Sequence, residues 1–102
     1  MVDLTLSDLH TAFNWAFHKA SSSRNSLSFK PNEERAQRIH NAYDKAAAGR
    51  FDDITIEELS DVAYVALDVE FGSTKGTPKY ETAKGIFHRA NTIRKALERE
   101  GG

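Results

Sequence analysis

The chain has 102 residues and a formal net charge of −1, a size suited to one domain around one core. It has no cysteine, which excludes a disulfide framework, a thiolate metal site and a cysteine nucleophile. The near-neutral total argues against wholesale binding to duplex nucleic acid. No apolar run approaches the ~20 residues of a membrane span, and the opening MVDLTLSDLH lacks the basic-then-apolar pattern of a signal peptide. A soluble, cytoplasmic protein without a membrane partner is expected.

Residues 5–20 are predicted as the first helix. Thr5 and Asp8 have the spacing of a capping box, and Leu4 and Leu9 that of a hydrophobic staple. Leu6, Leu9, Phe13, Ala16 and Ala20 form one apolar stripe, widened by Ala12 and Phe17. Trp15 falls outside it, beside Thr11, His18 and Lys19. The polar stretch 21–30 reads as a loop, with Leu27 and Phe29 expected against the core. A second helix is predicted from Pro31, a favoured first-turn residue, to about Ala48. Its stripe of Ala36, Ile39, Tyr43 and Ala46 is narrow and built mostly of small side chains. Residues 49–53 connect it to the next helix, with Phe51 as a core plug.

The third helix, residues 55–71, is expected to be central. Thr55 and Glu58 form a second capping box, Ile54 and Leu59 a second staple, and Gly72 is placed as a left-handed terminator. Ile56, Leu59, Val62, Ala63, Val65, Ala66, Leu67 and Val69 cover an arc of roughly 200°, wider than the stripe of an ordinary surface helix. Glu57, Asp61, Tyr64 and Asp68 form the remaining face. After the loop GSTKGT, a fourth helix is predicted over 77–99, with Thr77 as cap and Pro78 in the first turn. Ala83, Ile86, Ala90, Ile93 and Leu97 supply its stripe. Gly85 suggests a close helix crossing, and 101–102 a tail.

These elements imply an all-α, four-helix antiparallel bundle forming a single domain over residues 1–100. Residues 3–9 read like 53–59 at an offset of 50, and the Pro31 helix start like that of Pro78 at an offset of 47. Two related helical hairpins are one reading. Independent recurrence of common capping signals is the other. Charge is segregated: residues 51–71 sum to −7 with no lysine or arginine, and residues 72–102 to +4. Packing of the acidic third helix on the basic fourth would cancel part of this. A polarised face for a charged partner is the sharper alternative.

Within the third helix, Glu57-Glu58-Leu59-Ser60-Asp61-Val62 resembles the second acidic motif, E-x-x-D followed by an apolar helix, of the all-α nucleotide pyrophosphohydrolases of the MazG type. The resemblance implies hydrolysis of nucleoside triphosphates to monophosphates, with Mg²⁺ held by carboxylates of two helices, here Glu34, Glu58 and Asp61. The first motif of that family, E-x-x-E, is not met, because Gln37 and Arg38 follow where the second carboxylate belongs. Arg35-x-x-x-x-His40 is similar to the Arg/His signature of the HEPN ribonucleases. None of the four histidines pairs with another at the spacing of a helical zinc site. The loops 21–26 and 72–77 are hydroxyl-rich with one basic residue each. Arg24, Lys75 and Thr77 are therefore candidates for binding an anion or nucleotide at a helix N-terminus.

With no complete catalytic constellation, the leading expectation is a small, cofactor-free binding or regulatory protein. An inhibitor, an adaptor or a phage-type modulator would fit. It would act on a protein partner, or as a homodimer, through Trp15, Glu57, Asp61, Tyr64 and Asp68. Trp15 has a second reading, packing within its own chain. The Mg²⁺-dependent pyrophosphohydrolase and the anion-binding module are the alternatives.

Overall fold

The computed structural model describes residues 4–27 and 29–101. Four helices follow one another: α1 (Leu6–Ser22), α2 (Phe29–Ala47), α3 (Ile56–Phe71) and α4 (Pro78–Gly101), with a short 3-10 turn at Phe51–Asp53 between α2 and α3. α1 pairs with α2 and α3 with α4, and α3 also touches both helices of the first hairpin. The all-α four-helix bundle is the observed architecture, with α3 as its central element.

Local chemistry explains most of the helix starts. Both capping boxes form: Thr5 Oγ1 accepts from the Asp8 amide and Thr55 Oγ1 from the Glu58 amide, each at 3.1 Å, and both acids return a bond to the cap residue's amide. Each box satisfies two amides that have no partner inside the helix. The staples follow, with Leu4, Leu9, Ile54 and Leu59 all buried. α2 begins at Phe29, two residues before Pro31. Pro31 still lies in the first turn, where its missing N–H costs no intrahelical bond.

The helix ends divide. α2 closes with Gly49 at φ 78°, its amide bonded to Ala46 O and the Arg50 amide to Lys45 O, the paired bonds of a Schellman motif. Gly72 departs from expectation. Its φ is −87°, in the right-handed region, because the Ser73 hydroxyl donates to Val69 O at 2.7 Å and satisfies that carbonyl without a chain reversal. The left-handed glycine of this loop is Gly76, at φ 87°. It sits third in the turn Thr74–Thr77, which the Thr77 amide closes onto Thr74 O.

The core draws on every helix. Leu9, Ala12 and Ala16 of α1 meet Ala36, Ile39, Ala42 and Ala46 of α2. α3 adds Leu59, Val62, Ala63, Val65 and Ala66, and α4 adds Ile86 and Ala90. Phe13, Trp15, Tyr43 and Phe51 pack against this cluster as half-buried side chains.

Five placements differ from the sequence reading. Leu27 is 100% exposed, since the early start of α2 shortens the loop and leaves this residue at its tip. Phe17 is 55% exposed, one helical step past the edge of the α1 stripe. Leu6 and Ile56, the first residues of α1 and α3, are also exposed, because no preceding turn covers them. The helix α4 continues through Gly101, past residue 99.

Gly85 does not mark a helix crossing. A Cβ there would meet the Arg89 guanidinium at 3.0 Å. The glycine makes room for Arg89 to reach Asp8 of α1, where Nε and NH2 donate to the two carboxylate oxygens at 2.9 and 3.0 Å.

Candidate functional site

The face of α3 opposite its apolar arc is not one continuous exposed stripe. Glu57, Tyr64 and Asp68 are exposed, but Asp61 is only 8% exposed. Arg38 of α2 explains its burial. Its Nε donates to one Asp61 oxygen and its NH2 to the other at 3.2 Å. Arg35 Nε stands 3.8 Å from the same carboxylate. The hydrogen bond from Arg38 to Asp61, with the charges of Asp61, Glu57 and Glu34, holds the Arg38 guanidinium above its ordinary value against the opposing effect of burial.

A chain of contacts extends from this pair. The Arg35 guanidinium lies 4.1 Å from the Tyr64 ring centre, within cation–π range. Its NH1 donates to Asn32 Oδ1, and buried Asn32 donates onward to Ser23 Oγ at 3.0 Å. One turn before Asp61, Glu58 accepts from Lys45 Nζ at 2.9 and 3.0 Å while also capping α3. Asp68 is paired with Lys19 of α1 at 2.7 Å.

Three of the five carboxylates of α3, Glu58, Asp61 and Asp68, are therefore paired by α1 and α2. The expectation that basic α4 would do this is corrected: among the described residues no ion pair joins α3 to α4. Orientation decides it, because α3 turns Glu58 and Asp61 toward α2 and Asp68 toward α1. The sequence reading missed the pairing of Arg35, Arg38 and Lys45 with α3. Their spacing with Ala42, three and four residues apart, marks one stripe of α2, and that was the available signal.

The residues suggested as metal ligands do not assemble into a set. Glu58 and Asp61 face Lys45 and Arg38, and Glu34 is exposed on α2. Among the described residues no group of three or more His, Asp or Glu side chains is placed to hold a metal ion. Arg35 and His40 diverge. Arg35 faces α3, and His40 lies against Phe13 of α1, ring centres 5.1 Å apart, and 3.3 Å from Asp44.

The hydroxyl-rich loops lie at the same end of the bundle, as the Lys19–Asp68 pair near the C-termini of α1 and α3 shows. The depression at 21–26 is lined by that loop alone. Ser22, Ser23 and Ser26 donate their hydroxyls to backbone carbonyls. Thr77 Oγ1 donates to Thr74 O and accepts from the Tyr80 amide, acting as a cap. Arg24 and Lys75 are exposed.

Trp15 is half-buried and packs on the core. It shares a stripe of α1 with Asp8 and Lys19, which reach α4 and α3 respectively. Its place between these anchors follows from the helical spacing.

Two exposed aromatic regions remain. On α1 and α2, the rings of His10, Tyr43, His40, Phe13 and Phe17 follow one another at 5.1–6.5 Å. On α3, Tyr64 and Phe71 are 50% and 79% exposed. Seven residues apart, they lie on one line of the helix with Asp68 beside them.

Comparison of the chain with protein-family models, with curated proteins and with solved structures finds no match. Among the described residues, no helix is long and apolar enough to cross a membrane.

Proposed function

We propose that the protein is a small binding module that acts by docking another protein on the outward line of α3. The observation that carries this reading is the pair Tyr64 and Phe71, both at least half exposed on one line of the central helix. Large aromatic side chains anchor interfaces out of proportion to their number. Tyr64 carries the Arg35 guanidinium on its ring, which restricts it before any partner arrives and lowers the ordering cost of association. Glu57 and Asp68 provide an acidic rim. Asp61 belongs beneath this face, as the acceptor for Arg38 and a counter-charge to Arg35. Trp15 supports the module from inside. A regulatory role, as inhibitor or adaptor, follows naturally for a module of this kind.

The test is a photo-crosslinking amino acid placed at position 57, with the protein expressed in its own cell. A discrete adduct with one protein is expected, reduced about tenfold or more by Tyr64→Ala with Phe71→Ala, the loss of two interface anchors. An adduct of twice the chain mass assigns a second copy as the partner. Absence of any adduct above background, or adducts unchanged in the double variant, overturns the reading.

A further inference from the structure

At the end of the bundle away from the two hairpin loops, a groove of about 470 Å³ opens between α4, the 3-10 turn and the N-terminal side of α3. Its size falls in the range of small-molecule sites. Phe51, Ile93, Ala96 and Leu97 provide its accessible apolar wall over buried Leu4 and Leu59, and among the described residues Asp52 and Glu100 are its only charged lining residues. No lysine or arginine lines it. Neither acid is engaged in an ion pair among the described residues, whereas the neighbouring Asp53 is held by Arg50 at 3.0 Å.

The helix adds to this polarity. Glu100 lies in the last turn of α4, where unsatisfied carbonyls carry the negative end of the helix dipole. An acid in that position is unfavourable by itself and becomes favourable beside a cation. The one basic residue in that turn, Arg99, does not line the groove.

We propose that this groove is a binding site for an amphiphilic organic cation, with its alkyl or aryl body on Phe51, Ile93 and Leu97 and its ammonium or guanidinium group toward Asp52 and Glu100. The apolar wall supplies affinity through area removed from water. The two carboxylates select the sign of charge. The site is separate from the outward line of α3 and does not depend on the docking reading.

The test uses the isotopically labelled full chain in a nuclear magnetic resonance titration, with octylammonium and octanoate as matched probes at constant ionic strength. Saturable shifts of Phe51, Ile93 and Leu97 with octylammonium are expected, with octanoate about tenfold weaker, as two exposed carboxylates that attract one probe and repel the other imply. In the double variant Asp52→Asn with Glu100→Gln the preference disappears while the spectrum stays dispersed. Both substitutions are at exposed positions outside the core. No saturable shift with octylammonium overturns the proposal, as does equal affinity for both probes or a preference that survives in the double variant.

Discussion

Two of the interfaces of α3, one with α4 and a smaller one with α2, are built from different materials. Toward α4 it presents small apolar side chains, met by Ile86 and Ala90. Toward α2 it presents Glu58 and Asp61, met by Lys45, Arg38 and Arg35. The first interface lies inside a hairpin and the second joins one hairpin to the other. Apolar contact is non-directional and tolerates sliding, whereas a bidentate guanidinium–carboxylate pair accepts one geometry. The difference suggests a division of labour. The apolar interface supplies most of the stability, and the ionic one fixes how the two hairpins are set against each other.

The largest expected effect lies on the apolar side. Ile86→Ala should cost about 3–4 kcal/mol, from lost transfer energy plus the cavity left behind. Chemical denaturation should show this loss unchanged between low and high salt. On the ionic side, Asp61→Ala should cost about 2–3 kcal/mol, since it leaves the half-buried Arg38 without its acceptor and Arg35 without a neighbouring carboxylate. The paired replacement Arg38→Met with Asp61→Leu should recover most of that loss. If the pair sets the hairpin arrangement, the paired variant should nonetheless show broadened or duplicated resonances at the α2–α3 interface. A single sharp spectrum would show that the apolar contacts alone fix the arrangement. Arg38 itself will not report the pair by titration. Its raised value means that its stabilisation is full below the ordinary arginine range and is lost only at still higher pH.

The smallest effect belongs to Lys19–Asp68, a cross-hairpin pair that is substantially exposed at both ends. Lys19→Ala should cost at most about 0.5 kcal/mol, and added salt should erase the difference. A salt-resistant loss of 1 kcal/mol or more would show that the exposed rim also orders the hairpins.

What the sequence made legible was mainly what neighbours in sequence decide. Thr5 with Asp8 and Thr55 with Glu58 are three residues apart, and both boxes formed because the capping geometry is local. The stripes of Ala36, Ile39 and Ala46, and of Ala83, Ile86 and Ala90, were readable for the same reason. The ionic layer was not. Arg38 and Asp61 are 23 residues apart, and Arg89 and Asp8 are 81 apart. Charge sums over segments describe how much charge there is and are silent on which helix faces it. Gly72 and Gly85 show the same limit in miniature. A glycine announces conformational freedom or space, and only the surroundings decide which is used: Gly49 uses the freedom, and Gly85 provides space for a side chain of its own helix.

Asp8 has a consequence for how the molecule comes apart. The same carboxylate closes the first turn of α1 and holds Arg89 of the last helix. The cap can form within microseconds from its own segment, while the grip on Arg89 waits until both hairpins exist and have met. Fraying at the start of α1 therefore loosens the tie to α4, and departure of α4 removes a partner from the turn that begins the fold. The first step of unfolding at this corner is shared between the two ends of the helical array, so neither end peels away independently of the other.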